Sequence, residues 1–220
     1  MSGPGPPASR ILVKEVNWLG DLVMSLPALR AVRRAYPDAE LSVLVKRELA
    51  SFFDGMESVN RVIPYRIRPA LAGIADRWRV VQTVRAGGFD LAVLFPSSFE
   101  SALWIAAAGV PARAGVVRDA RAPLLTHRAK PPRAGTGRHQ SHDYLAMLAE
   151  TLDIRGSADD VRIEAAEANR ARMHGWLRER RRRPERPLIA VAPAAAYGPA
   201  KEWPPDRYVS LIDRLAEEHG

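Results

Sequence analysis

The 220-residue chain has no cysteine. That excludes a disulfide framework, a thiolate metal site and a cysteine nucleophile, and it agrees with a reducing compartment. Lysine is scarce, at Lys14, Lys46, Lys130 and Lys201 only, so arginine carries most of the positive charge behind a formal net charge of +8. No apolar run approaches the ~20 residues a bilayer-spanning helix needs; the longest mainly apolar stretch is residues 102–110. The opening MSGPGPPAS lacks the basic start and apolar core of a signal peptide and reads as a disordered tail over residues 1–9. These features predict a soluble, cytoplasmic protein. Several chemical signatures are missing too. There is no P-loop, no G-x-G-x-x-G after a strand, no G-x-S-x-G and no Asp-x-Asp pair to hold a metal on a nucleotide sugar.

What is present alternates between two periods. Apolar runs at residues 11–16, 41–45, 59–63, 91–95 and, more weakly, 112–117 read as buried strands. Helical spacing follows each of the first four: Leu22, Leu26, Leu29, Val32 and Tyr36 form one such face, with Pro27 expected to kink or restart that helix. Shorter helices are predicted near residues 48–54, 74–85 and 100–108. Strands alternating with helices imply an α/β fold, a parallel sheet covered on both faces. Residues 118–140, basic and rich in proline and glycine, break the pattern and read as a long loop. Helices are expected at residues 142–152 and 164–182. The RRPERP stretch then reads as a linker at 183–187, followed by one strand at 188–192 and one helix at 206–218. A lone strand and helix cannot bury their own faces. The expected organisation is a Rossmann-like domain over residues 10–182 and the opening of a second, truncated domain over 188–220.

Gly20 and Asp21 stand at the carboxyl end of the first strand, where open parallel sheets bind ligands. Glycine permits a tight turn and close backbone approach. Asp21 is either the N-cap of the following helix or a catalytic carboxylate, and the two roles are compatible. Ser97 and Ser98 follow the fourth strand and should reach the same crevice or cap the next helix. Arg118 and Arg121 lie in the irregular loop, where guanidinium forks suit carboxylates and phosphates as well as plain solvent. His139 and His142, beside Asp143, have helical spacing for a shared metal but no evident third ligand.

Four stretches resemble one family, the bacterial glycosyltransferases that include the ADP-heptose:lipopolysaccharide heptosyltransferases, closest to the heptosyltransferase II branch. They are ILVKEVNWLGDLVMSLPALRAVRRAYPDAELSVLV, LFPSSFESALWIAAAGVPARAG, RDARAPLLTHRAK and APAAAYGPAKEWPPDRY. The resemblance implies a two-domain GT-B fold, with an acceptor-binding domain first and a nucleotide-sugar domain second. It implies inverting, metal-independent transfer of heptose from ADP-heptose to the anionic lipopolysaccharide inner core, with no cofactor. On this pattern Asp21 is the general base. Lys201 and Gly20 bind the donor, and Arg121, Arg118, Ser98 and Ser97 bind the acceptor. A transient visit to the inner-membrane surface follows if the acceptor is a lipid. The fourth stretch departs from the family in Pro193-Ala194, where Pro-Gly is usual, and in Ala196, where the second branch carries an acid. The family's Asp-Ser-Gly…His segment is absent, so the chain is expected to be weak or inactive alone. A different class remains open: a non-catalytic module that binds anionic glycolipid or sugar. Nucleic-acid binding rests on charge alone, without interleaved aromatics or a motif.

Overall fold

The computed structural model describes residues 5–132, 138–163, 165–193 and 202–219. By compactness the chain divides into two units, Met1–Ala166 and Glu167–Gly220.

The first unit is built on a six-stranded, wholly parallel sheet. Its strands are β1 (Arg10–Lys14), β2 (Glu40–Lys46), β3 (Arg61–Tyr65), β4 (Leu91–Leu94), β5 (Ala112–Val116) and β6 (His127–Ala129). Their spatial order is β3-β2-β1-β4-β5-β6. The chain winds outward from β1 in one direction and then, from β4, in the other. The switch point therefore falls between β1 and β4, where Ile11 pairs with Leu91 and Lys14 with Leu94. Alternate strand residues feed two cores. Ile11, Val13, Leu41, Val43, Leu91 and Val93 pack on one face with α1 (Leu19–Ala35) and α4 (Gln140–Leu152). Leu12, Leu44, Ala92 and Leu94 pack on the other with α2 (Ala72–Gly87) and α3 (Phe99–Ala107). Burial on both faces explains why the strands read as near-continuous apolar runs.

Several expectations are corrected. The helix α1 runs unbroken through Pro27, which lies on its buried face; tertiary packing outweighs the lost backbone bond. The short helix expected near 48–54 is present at Arg47–Phe53, as a 3-10 helix. The irregular segment holds a sixth strand, β6, paired in parallel with β5 through Ala114–His127 and Val116–Ala129. Three residues are too few for a periodicity to register. Residues 5–9 are not a loose tail: the Pro6 carbonyl accepts from Tyr36 Oη at 3.1 Å and the Ser9 N–H donates to Asp90 at 2.8 Å. Gly88 closes α2 in the left-handed conformation, φ 57°, as the Gly87-Gly88 stop suggested.

The second unit holds α5 (Glu167–Arg180) and α6 (Pro205–His219). The strand expected at 188–192 is not formed; a strand needs a ladder partner, and none lies beside it among the described residues. Ile189, Val191, Ile212 and Leu215 instead line a 240 Å³ recess. No described helix is long and apolar enough to cross a membrane.

Candidate functional site

A cavity of about 670 Å³ opens at the carboxyl ends of β1, β4 and β5. It lies at the switch point, where the neighbouring connections diverge and leave a crevice. Asp21, Ser97, Ser98 and Arg118 all line it. Four residues separated by up to 97 positions in sequence thus share one wall because three strands end side by side.

Asp21 is not a cap. Trp18 occupies the N-cap position of α1 and makes no side-chain cap bond, while Asp21 sits in the first helical turn. Among the described residues its carboxylate has no hydrogen bond or ion pair. It is half-buried, and the free amides of the helix start favour its negative charge. A carboxylate in this setting is available to a ligand hydroxyl. Gly20 is the second residue of α1, exposed, and is not among the cavity's lining residues. A Cβ there would meet nothing within 4 Å, so no turn requires this glycine; it leaves open space above the helix start.

Ser98 does cap α3, accepting from the Ser101 N–H at 3.3 Å, while Ser97 faces the cavity without such a bond. Arg118 is exposed at the rim and is followed by two left-handed residues, Asp119 (φ 50°) and Ala120 (φ 56°). Side chains rarely adopt that region, so this tight turn is held by its surroundings.

What holds it is Arg121. The expectation that Arg121 contacts the acceptor is corrected: its side chain is completely buried. Nε donates to Val116 O at 2.8 Å, and Nη1 to Pro96 O at 2.5 Å and Ser98 O at 3.4 Å. The loops after β4 and β5 are therefore tied together from below. Burial pulls the guanidinium down to about 10, so it stays charged at neutral pH. Lys201 lies outside the described residues.

Sequence reasoning missed the rest of the wall. Asn17 is fixed by Tyr65, whose Oη donates to Asn17 Oδ1 at 2.8 Å and accepts from Lys14 Nζ at 3.1 Å. From α4 come Gln140, Asp143, Tyr144 and Met147. Gln140 Nε2 donates to Tyr144 Oη at 2.6 Å, and the Tyr144 ring lies 5.2 Å from that of Phe95. Burial, then the charges of Asp21, Glu15 and Asp143, push the phenol well above its ordinary range. Tyr144 thus remains a hydroxyl donor beside Asp21. Among the described residues Asp143 Oδ1 is buried without a partner. The one available signal was the spacing of Gln140, Asp143, Tyr144 and Met147 along one helix face. Among the described residues no group of three or more His, Asp or Glu is placed to hold a metal ion.

Beneath the cavity, Glu15 is wholly buried. Its Oε2 accepts from Ser25 Oγ at 2.9 Å and the Val16 N–H at 3.2 Å, while Oε1 has no partner among the described residues. Burial pushes the carboxyl up from 4.5 to about 7, because the charged form is desolvated. A raised acid stabilises the fold fully below its unfolded value and loses that contribution as pH rises through the folded one. Unfolding free energy, and with it Tm, should therefore fall between pH 5 and pH 7, the free energy by at most about 1.4 kcal/mol per pH unit. Glu15→Gln should flatten that dependence; an unchanged slope would show that Glu15 is not its source.

A family model for glycosyltransferase family 9 (heptosyltransferase) matches residues 77–220. Lipopolysaccharide heptosyltransferase 2 of Salmonella typhimurium is 29% identical, and so is that of Escherichia coli; each alignment covers 95% of this chain and 61% of the relative. The chain thus spans less than two thirds of these relatives' length. The solved structure of E. coli ADP-heptose lps heptosyltransferase II matches with a TM-score of 0.77 and 27% identity, over 96% of this chain and 62% of that one. A family 9 glycosyltransferase from Veillonella parvula matches with a TM-score of 0.82 at 19% identity, over 96% and 60%, a likeness of fold. Over the part the chain spans, the fold is that of the GT-B heptosyltransferases.

Proposed function

Because the chain belongs to glycosyltransferase family 9, the heptosyltransferase family, we propose that it supplies the acceptor-binding half of an inverting heptosyltransferase acting on the lipopolysaccharide inner core. The observation that carries this reading is the Asp21 carboxylate in the 670 Å³ crevice, unpartnered among the described residues, with Ser97, Ser98 and Arg118 around it.

The chemistry follows from the residue types. A sugar hydroxyl is a poor nucleophile until its proton is removed in the transition state. Asp21 takes that proton as the hydroxyl oxygen bonds to the anomeric carbon of ADP-heptose from the face opposite ADP. The bond from that carbon to the β-phosphate oxygen breaks, and ADP leaves with the electron pair. Its charge calls for a cation, the role assigned to Lys201, with Gly20 leaving room at the start of α1. Arg118 at the rim suits the carboxylates and phosphates of an inner-core acceptor. Tyr144, held by Gln140, offers its proton to an acceptor oxygen and so orients the hydroxyl toward Asp21. The reading assigns no step to a metal, in line with the missing Asp-x-Asp pair. It places residues from 188 onward at the opening of the donor domain. It also places the protein in the cytoplasm, with transient contact at the inner-membrane face.

Binding tests the acceptor half directly. The 220-residue chain should bind heptose-deficient inner-core oligosaccharide in a titration. Arg118→Ala should weaken it by about tenfold, the effect of one charge-assisted contact of about 1.4 kcal/mol. No binding by the parent chain, or equal binding by the variant, would sink this assignment of the crevice.

A further inference from the structure

The first turns of α2 carry a feature the crevice does not use. Leu71, Ile74 and Trp78 are 81%, 64% and 57% exposed. Spaced by three and four residues, they form a single stripe. The side of the same helix that carries Val80 and Val84 is buried against the sheet. Large apolar side chains gathered on one exposed helix face mark an interaction surface rather than ordinary solvent exposure.

The charges beside the stripe select its partner. Arg66, Arg68, Arg77, Arg79 and Arg85 lie on or next to α2. Two carboxylates stand against them. Asp76 holds Arg68 and Arg79, each at 2.8 Å, and Glu100 holds Arg77 at 2.5 Å. These pairs fix the guanidinium groups in place and leave the surroundings basic. A recess of about 400 Å³ opens on the Arg79 side of the helix, where Arg47, Arg66, Arg68 and Arg79 outnumber the one lining carboxylate, Asp76. An apolar stripe containing tryptophan, flanked by arginines and a basic recess, matches an anionic lipid surface: side chains enter the acyl boundary while phosphates meet the guanidinium groups. A second copy of this face would bring arginine against arginine.

We propose that Leu71, Ile74 and Trp78, with the arginines beside them, dock the protein on the surface of an anionic phospholipid bilayer. This deepens the reading above, since a lipid-linked acceptor lies at such a surface. Vesicle binding requires neither donor nor acceptor sugar, so it stands or falls apart from the oligosaccharide titration.

Flotation of the 220-residue chain with phosphatidylcholine vesicles containing about 30 mol% phosphatidylglycerol provides the test. Binding should require the anionic lipid and weaken with added salt. Leu71→Ser/Ile74→Ser/Trp78→Ser should bind at least about tenfold more weakly, because three buried apolar side chains are lost. Its circular dichroism and Tm should match the parent, as all three positions are exposed. Trp78→Phe should keep binding but lose most of the tryptophan emission shift that vesicles cause. Three results would overturn the proposal. One is no binding by the parent chain. A second is equal binding by the triple variant. A third is a parent dimer, free of vesicles, that the triple variant converts to monomer.

Discussion

Asp21→Asn abolishes nearly all transfer while leaving the crevice intact. With ADP-heptose and heptose-deficient core as substrates, ADP release should drop by about 10²–10⁴-fold, the range that a positioned general base contributes. The substitution keeps shape and volume and removes only the proton acceptor. Asp21 makes no bond to another described residue, so its loss breaks no structural contact. Unfolding free energy should stay within about 0.5 kcal/mol of the parent, as for a surface position. Oligosaccharide affinity should change little, because Arg118 and the serines remain. The proper protein for the assay is the longest polypeptide encoded in frame with these residues, since the chain spans 61% of its heptosyltransferase 2 relatives. An Asn variant that retains a third or more of the rate would remove Asp21 from the role of base. Asp143, whose Oδ1 is buried on the same wall without a partner among the described residues, would then become the carboxylate to replace.

The sequence was most legible where burial was two-sided. Residues 11–14, 41–45 and 91–94 have their side chains buried on both faces, so their strands appear as solid apolar runs and their placement followed directly. The same logic put Asp21, Ser97 and Ser98 at the carboxyl ends of strands, and hence at one crevice, while Arg118 was assigned to the acceptor from the irregular loop by resemblance. Three things were not legible. The strand β6 is short and begins with His127 and Arg128, which no hydrophobic pattern marks. Tyr144 and Gln140 share a helix face by their spacing, but that this face meets the crevice depends on how α4 packs on the sheet, a tertiary fact. Arg121 read as an acceptor ligand or a solvated arginine because it sits in a basic, irregular segment. Its actual environment is a ring of main-chain carbonyls, which carry no side-chain signature.

Arg121→Met separates a buried clamp from a surface ligand. Methionine fits much of the space and removes the cost of burying a charge, which can itself be favourable when a buried ion is replaced. Against that, Val116 O and Pro96 O lose their guanidinium donors, at about 1–3 kcal/mol for each buried group left unpaired. The two orphaned acceptors outweigh the relieved charge, and a net loss of about 3 kcal/mol is expected, roughly 10 °C in Tm for a chain of this size. Arg121→Lys should recover part of it, since one ammonium can reach one carbonyl but cannot span both loops. The neighbouring position gives the contrast. Gly115 faces the same guanidinium, and a Cβ there would stand 3.0 Å from Nη2. Gly115→Ala should therefore press on the clamp without deleting it, and destabilise less than Arg121→Met. Function should follow the clamp as well. With the loops after β4 and β5 untied, Ser97, Ser98 and Arg118 lose their common placement, so oligosaccharide binding should weaken in Arg121→Met even at temperatures where the variant is folded. A variant with the parent's Tm and weakened binding would instead put Arg121 back at the ligand. A variant with lowered Tm and intact binding would show that the loops hold their places without it.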